Sequence, residues 1–597
     1  MVHRQGNVDA DLACDRGDVG VAGALLGRTD AGAGGGRRGR GPLRADFAPA
    51  QRDEVAHRCD ALAASRYDPL YTGRREPLTD ANIGEALRVC QQAASAQPVR
   101  SRYVYQYGLA LYRAQRYDDA ARQWAIARDA GNAWASVALG ALSESGSGVP
   151  QSYETAARLF REAADAGIPL AYSNLASLYE SGAGVARDAN EAAKWYQRAA
   201  DAGVTAAYTG LMRLAFDAAP PNLSEAVKWA QRAAEAGSAE GALALGWCYL
   251  TGTGVRKDEP LGAKWYAEAA RQEMTEAMYR LGVLYRDGRG IAKDARVAAD
   301  WFQRAGQQGH AQAQLELAYL LITGAGVARD ARAALAWALE AARQDLAPAQ
   351  VLVAAIYDDG DGAPRNHAES VAWFRKAADN GDAFAMMQLG WHLRKGDGIA
   401  KNEAAAVKWF EKSAALGNVV SEASLGEGYM YGYGGRADYQ AARYWLERAA
   451  SKGNGAAQVN LGVMYWNGWG VARDPQRSRA LMLQATRSPD PRAASMARQN
   501  LGMASRGSGD DNTGAIVGTA VVGLLLLALL SGSGGSSGGS TSGSGISMPG
   551  SSGPFGGGSA PSSMSSSRSV ATPMNGNITR TLHGADAVGL NGPVNRR

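Results

Sequence analysis

The feature that most constrains the fold of this 597-residue chain is a tryptophan that recurs at an almost constant interval. One interval is 34 residues and the other six are 36. A fixed period of this size indicates a solenoid of stacked helical hairpins, because a single hairpin cannot bury its apolar face without a neighbour. The recurring residues, which we term the tryptophan row, are Trp195, Trp229, Trp265, Trp301, Trp337, Trp373, Trp409 and Trp445.

The stretch 277–309 shows what one repeat contains. Leu281 and Leu284 lie at helical spacing, and a glycine-rich turn that begins at Gly288 interrupts the pattern. A second apolar run at helical spacing contains Trp301 and also ends at a glycine. The pattern predicts two short amphipathic helices joined by a turn.

This repeat resembles the Sel1-like repeat, a relative of the tetratricopeptide repeat. The matching residues are A-x-x-x-L-G-x-x-Y-x-x-G-x-G-V, then an acidic or amide residue, then A-x-x-W-Y/F-x-x-A-A-x-x-G, and the fullest copies are 171–203 and 277–309. Ten copies and a partial one cover about two thirds of the chain. The resemblance implies an all-α fold, a right-handed superhelical α-solenoid of helix-turn-helix repeats, and an interaction scaffold that usually has no chemistry of its own.

The predicted domain organisation places the repeats between segments of different composition. These segments are a disordered Gly/Arg-rich arm (1–55), a helical leader module (56–100), a tetratricopeptide-like hairpin (101–134), the Sel1-like solenoid with a terminal capping helix (135–505), a transmembrane helix (514–530) and a Gly/Ser-rich disordered tail (531–597). The two disordered termini are expected because their compositions cannot bury enough apolar surface to fold.

Turns and helix starts have recognisable residues in each repeat. Glycine pairs such as Gly182 and Gly184 are expected to end the first helix in the left-handed conformation. Polar residues that follow are expected to cap the second helix, and Asp188, Asn366 and Asp474 fit this role.

Two further positions are predicted to pack between helices. The first helix contains a leucine of the motif, Leu281 in the stretch above, which we term the key leucine. The small residue after it, here Gly282, is expected where two helices cross. The tryptophan row is expected to form the core and not a ligand site. Replacing Trp301 by alanine should therefore cost roughly 3–5 kcal/mol.

A partner-binding surface is expected on the first helices, which line the concave face of helical-hairpin solenoids. The position two residues after the key leucine is predicted to project there, and large aromatic residues on it suit anchoring of a peptide or helix. The alternative is that these side chains pack against adjacent helices. The positions, which we term the first-helix row, are Ser177, Arg213, Trp247, Val283, Tyr319, Ala355, Trp391, Glu427 and Val463.

Two cysteines lie in the leader module. The sequence from 54 to 98 is similar to the leader that precedes the repeats in some exported bacterial members of this family. Cys59 and Cys90 lie at the two positions that match this leader. The resemblance implies that they form a disulfide and that the repeats face an oxidising compartment. Two buried free thiols are the alternative.

The apolar segment 514–530 contains 17 residues without a charge. As a helix it would span roughly 25 Å, which suits a single pass through a membrane, expected to be the bacterial inner membrane. A helix that docks on a partner is the alternative. Gly514 and Gly518 form a G-x-x-x-G motif, which favours a homodimer.

The orientation in the membrane has two opposing indications. Arg498 and Arg506 precede the apolar segment, while the next charge after it is Arg568, so the positive-inside rule places the repeats in the cytoplasm. A disulfide between Cys59 and Cys90 would instead place them in the periplasm.

Chemistry-bearing motifs are missing from the sequence. The six histidines are scattered, and we find no metal site, no cofactor-binding motif and no catalytic nucleophile with its base. A formal charge of +5 is too balanced for a nucleic-acid-binding chain. The sequence therefore predicts a non-catalytic, membrane-anchored scaffold that binds a protein or peptide. An exported cell-envelope protein with hydrolase or cell-wall-binding activity is the alternative.

Overall fold

The computed structural model describes residues 49–63, 78–79, 81–96 and 100–506. Over these residues the chain forms 25 α-helices and no β-strand. The chain divides into two compact units between Ala277 and Met278. The predicted all-α fold of helical hairpins is confirmed in the part of the chain that the structure describes.

In the first unit, each hairpin contributes two helices of about equal length. The helices are α1 (Pro49–Ala63), α2 (Ile83–Ser95), α3 (Ser101–Arg113), α4 (Tyr117–Asp129), α5 (Ala133–Ser145), α6 (Tyr153–Asp165), α7 (Pro169–Ser181), α8 (Ala189–Asp201), α9 (Ala206–Asp217), α10 (Leu223–Glu235), α11 (Ala239–Thr251), α12 (Glu259–Arg271) and the start of α13 (Thr275–Asp287).

The second unit continues the same alternation of first and second helices after α13. Its helices are α14 (Ala295–Gln307), α15 (Ala311–Thr323), α16 (Ala331–Ala342), α17 (Ala347–Asp359), α18 (His367–Asp379), α19 (Ala383–Lys395), α20 (Glu403–Ala415), α21 (Val419–Tyr431), α22 (Tyr439–Ser451), α23 (Gly455–Asn467), α24 (Pro475–Ala485) and α25 (Pro491–Arg506).

The turns and caps follow the prediction from the sequence. Gly182 and Gly184 have φ angles of 75° and 69°, so both adopt the left-handed conformation that ends α7. The Asp188 side chain accepts hydrogen bonds from the first-turn amides of α8, and Asn366 caps α18 in the same way. Asp474 caps α24, which has a proline at its N-terminus.

A glycine of the first helix makes room for a large side chain of the second helix in six repeats. A Cβ atom added to Gly140 would lie 2.6 Å from Cε1 of Phe160, and one added to Gly246 would lie 2.4 Å from Cδ1 of Tyr266. Helix α5 can therefore approach α6 only because position 140 has no side chain. The other four pairs are Gly282–Phe302, Gly390–Phe410, Gly426–Leu446 and Gly462–Met482.

The tryptophan row is buried only in part. Trp195 and Trp229 lie in the core, as predicted, whereas the other six members are half-buried, because each lies at the edge of the apolar stripe of its helix. The residue that follows the tryptophan is buried in all eight repeats, and in six of them it is a large residue. These residues are Tyr196, Tyr266, Phe302, Phe374, Phe410 and Leu446.

Basic side chains cover the outer face of several of these indoles. The cation lies three residues after the tryptophan, which is one helical turn away. The Arg304 guanidinium carbon is 4.4 Å from the Trp301 ring centroid, and Lys376 Nζ is 3.9 Å from that of Trp373. Each indole therefore packs on the core with one face and on a solvated cation with the other.

The leader differs in one respect from the prediction. Helix α1 already begins at Pro49, within the segment predicted to be a disordered arm, since proline suits the first position of a helix. The structure joins Cys59 and Cys90 in a disulfide that links α1 to α2, with 4.9 Å between the Cα atoms. In the hairpin that follows, Trp124 Nε1 donates a hydrogen bond to the Tyr105 carbonyl oxygen at 3.0 Å.

The C-terminal end of the described chain is helix α25, which contains the predicted capping helix. Ala493, Ala494 and Ala497 of this helix are buried. None of the described helices combines the length and the apolarity that a membrane crossing needs. The predicted membrane helix, at 514–530, lies outside the described residues, as do the tail and residues 1–48 of the arm.

Candidate binding surface on the first helices

The first-helix row lies on the odd-numbered helices from α7 to α23, but it is not uniformly accessible. Its first five members, from Ser177 to Tyr319, are half-buried. The last four are buried: Ala355, Trp391, Glu427 and Val463.

Trp391 is therefore not an open aromatic anchor, which corrects the expectation from the sequence. Its side chain is 3% exposed, and its ring packs edge-on against Phe410 with 5.5 Å between the centroids. The alternative given above, that these side chains pack against an adjacent helix, is the one observed for Trp391. Tyr319 is half-buried, and burial raises the pKa of its hydroxyl to about 12.

In the first unit, the row member Arg213 is held in place by hydrogen bonds. Its Nε donates to Glu180 Oε1 at 3.0 Å and its Nη2 donates to Glu180 Oε2 at 2.9 Å, which is a bidentate pair. Tyr196 donates its hydroxyl to the same carboxylate at 2.7 Å. Burial raises the pKa of Tyr196, and the Glu180 carboxylate adds to that shift, so the phenol stays protonated and keeps donating.

Trp247, one repeat further along the first unit, is half-buried on α11. Its ring meets the ring of Phe216 edge-on, with 6.0 Å between the centroids. Glu240, also on α11, lies 3.6 Å from Arg213 Nη1. Arg213 and Trp247 thus form a charged and an aromatic position held in place by neighbouring helices.

The second unit contains a matching ion pair with the charges exchanged. Arg394 Nη2 lies 2.7 Å from Oε1 of Glu427, a row member that is 0% exposed. The Arg394 guanidinium also lies over the Tyr433 ring, 4.3 Å from its centroid. In both units the row member pairs with a residue 33 positions earlier in the sequence. Opposite charges 33 positions apart in a 36-residue repeat are the sequence signal from which both pairs could have been predicted.

A cleft of about 1250 Å³ lies in the first unit, where the repeat pattern is irregular, and the Arg213 partner Glu180 is one of its lining residues. The loop between α9 and α10 has five residues, 218–222, against seven in the loop 182–188 between α7 and α8. Leu211 and Leu214 contribute apolar surface, and Glu180 lines the cleft as well as holding Arg213.

The cleft also has titratable and aromatic walls. Lys194, Asp217 and Trp229 line it. Burial raises the pKa of Asp217, and the nearby Glu180 carboxylate adds to this effect. Apolar residues and charged groups of both signs therefore line the cleft.

Two histidines that are far apart in the sequence come together in the second unit. His367 and His392 both lie beside the carboxylate of Asp358. Their proximity was not predicted, because they are 25 positions apart and lie on neighbouring repeats.

A comparison with protein-family models matches this architecture to the Sel1 repeat. The ten matched segments cover more than half of the chain. They are residues 135–168, 169–204, 209–238, 239–274, 275–310, 311–346, 347–382, 383–418, 419–454 and 455–490. This chain is a member of the Sel1 repeat family. Sel1-repeat proteins are generally scaffolds for protein interactions.

A solved structure supports the same assignment. The Sel1-repeat chain is similar to c5321 of uropathogenic Escherichia coli, a protective antigen with an SLR fold, at 29% identity and a TM-score of 0.60, over 69% of this chain and 89% of c5321. A Sel1 repeat protein from Oxalobacter formigenes matches at 27% identity and a TM-score of 0.43, over 51% of this chain and 89% of that protein. A comparison with curated proteins found no match.

Proposed function

We propose that this Sel1-repeat chain is a non-catalytic scaffold that binds a protein or peptide partner through the first unit, at Ser177, Arg213, Trp247 and the adjoining cleft. The observation that carries the proposal is the bidentate pair between Arg213 and Glu180, because Glu180 also lines that cleft. Arginine and tryptophan are the residues that most often dominate binding energy at protein interfaces. A side chain that is already fixed loses little conformational entropy on binding, so this surface is pre-organised.

Site-specific photo-crosslinking tests this surface. A photoreactive amino acid replaces Trp247 in the full chain, and in a matched control it replaces Trp265, which is also half-buried but lies on the second helix of the same repeat. We expect a discrete adduct with another protein from position 247 and none from position 265. Equal labelling from both positions, or no adduct from position 247, contradicts the proposal.

We further propose that the segment 514–530 anchors the chain in a membrane and that Gly514 and Gly518 favour a homodimer there. Its apolar length and lack of charge support this. Carbonate extraction should leave the full chain in the membrane fraction and release a chain that lacks residues 514–530. Release of both chains would instead support docking of the segment on a partner.

The disulfide between Cys59 and Cys90 supports a location of the repeats in an oxidising compartment, which for a bacterial inner-membrane protein is the periplasm. Alkylation of freshly prepared membranes should leave both thiols unmodified until a reductant is added. Rapid modification without reductant would support a cytoplasmic location. Among the described residues we find no nucleophile with its base that would favour the hydrolase alternative.

A further inference from the structure

Three side chains of metal-binding type meet at one junction between repeats in the second unit. Asp358 lies near the C-terminal end of α17, His367 is the first residue of α18, and His392 lies on α19 of the next repeat. We propose that these three residues bind a divalent first-row transition-metal ion, for which Zn²⁺ serves as the test ion. The site is independent of the partner-binding surface of the first unit.

The geometry matches a three-ligand site. His367 Nδ1 lies 2.7 Å from Asp358 Oδ1, and His392 Nε2 lies 3.4 Å from the same oxygen. One potential ligand atom from each residue lies within 4.8 Å of the other two. Ligand bonds of about 2.0–2.2 Å place two ligand atoms on one ion roughly 3–3.6 Å apart. Binding therefore requires only a small movement of the His367 ring.

A second observation concerns the orientation of His392. Its Nδ1 lies 3.0 Å from the carbonyl oxygen of Asp397. Since a carbonyl oxygen only accepts hydrogen bonds, Nδ1 carries the hydrogen, and in the neutral ring Nε2 presents a lone pair toward the Asp358 carboxylate. A cation between these two acceptors satisfies both. Metal-binding histidines commonly have their other nitrogen held by a carbonyl in this way.

The other repeats of the chain provide an internal comparison. At the position of His392 most of them have an apolar residue, namely Leu142, Leu178, Leu214, Cys248, Leu284, Leu320, Ile356 and Met464. His392 is nevertheless 4% exposed and Asp358 is 5% exposed. Burial of polar groups costs free energy unless they have partners. The chain departs from its own pattern at this junction, where the departures bring three metal-binding groups together.

The ligand set indicates the class of ion. Two imidazole nitrogens and one carboxylate oxygen suit zinc, iron, cobalt or nickel, whereas magnesium and calcium prefer oxygen ligands alone. His367 is half-buried, so solvent reaches one side of the site and leaves a fourth position for water. An ion bound here links the repeat 347–382 to the repeat 383–418 and stabilises their packing.

The test uses the full chain after treatment with a chelator. Calorimetric titration with Zn²⁺ alone should show one site per chain, and the melting temperature should rise with Zn²⁺. His392→Leu and His367→Ala should each lower the affinity by about 100-fold or more and abolish the rise in melting temperature. Both substitutions introduce residues that other repeats have at the same positions, such as Leu320 and Ala331, so the fold should be retained.

The matched control is His310→Asn. His310 caps α15 through its side chain, and asparagine caps α21 and α23 in the same role, so this variant removes a histidine elsewhere in the second unit and keeps the cap. Its affinity for Zn²⁺ should equal that of the wild type. The proposal is overturned if the wild type shows no one-to-one binding, in which case the cluster is a hydrogen-bonded network only. It is also overturned if binding persists in both variants, which would place the ion at another histidine.

Discussion

The ring of Phe302 occupies the space that a side chain at Gly282 would need, because a Cβ atom there would lie 2.6 Å from Cε1 of the ring. The two residues are 20 positions apart, on the first and second helices of one repeat. The glycine of the Sel1 motif is thus explained by a specific neighbour. It is retained although glycine is an unfavourable residue inside a helix.

Gly282→Ala should destabilise the chain by about 1–3 kcal/mol, because overpacking of the Phe302 ring outweighs the gain in helix propensity. Gly84→Ala is the matched control, since nothing lies within 4 Å of a Cβ atom at that helical position. We expect the control to be neutral or slightly stabilising. Urea denaturation followed by circular dichroism measures both, and equal stability of the two variants would contradict the assignment.

Phe302→Ala should cost more than Trp301→Ala, although tryptophan is the larger residue. Phe302 is 0% exposed, whereas Trp301 is half-buried and partly covered by Arg304. We expect roughly 3–5 kcal/mol for Phe302→Ala and about half of that for Trp301→Ala. Thermal melts of the two single variants decide the order. The reverse order would restore the tryptophan row as the main core element.

Removal of Arg394 should destabilise the second unit strongly. Arg394→Met leaves the buried Glu427 carboxylate without its cation, which should cost about 3–5 kcal/mol. The double variant Arg394→Met/Glu427→Gln should regain part of this loss, because no unpaired charge remains buried. Chemical denaturation of Arg394→Met, Glu427→Gln and the double variant gives the coupling energy between the two residues. If the free-energy losses of the two single variants simply add up in the double variant, the ion pair is contradicted.

Cys248 should be unreactive in the folded chain. Burial raises the pKa of this thiol to about 12 from a usual value of 9.0. Between about pH 9 and 12 the thiol ionises readily only in the unfolded chain, because its pKa is raised in the folded state. The free energy of unfolding should therefore fall as the pH rises through this range. Iodoacetamide labelling at pH 8 should therefore require denaturant. Fast labelling of the native protein would show that the thiol is accessible.

The sequence predicted the hairpins, turns and caps because these depend on local spacing. Glycines such as Gly182 and caps such as Asp188 act within a few residues of themselves. The sequence did not separate the roles of Trp301 and Phe302, because both lie in one apolar stripe and differ by only one residue in helical position.

Contacts between repeats were the part that was not predicted. Asp358 and His392 are 34 residues apart, and Arg394 and Glu427 are 33 apart. Neither pair is evident from a single repeat, because the side chains meet only when one hairpin stacks on the next. The exposure predicted for the first-helix row failed at Trp391 for a different reason, because its ring packs against Phe410 of the following helix within the same repeat.

The constant separation of 20 residues between the two members of these six glycine pairs also bears on how such a chain changes length. Both members of each pair lie inside one repeat, so excision of an entire 36-residue module removes the cavity together with the group that fills it. Recombination between two modules therefore yields a shorter or longer chain in which each remaining glycine of these six pairs still has the side chain that fills the space beside it. At a junction where charged residues or histidines of two repeats meet, the same exchange would separate these partners and change the stability of the chain.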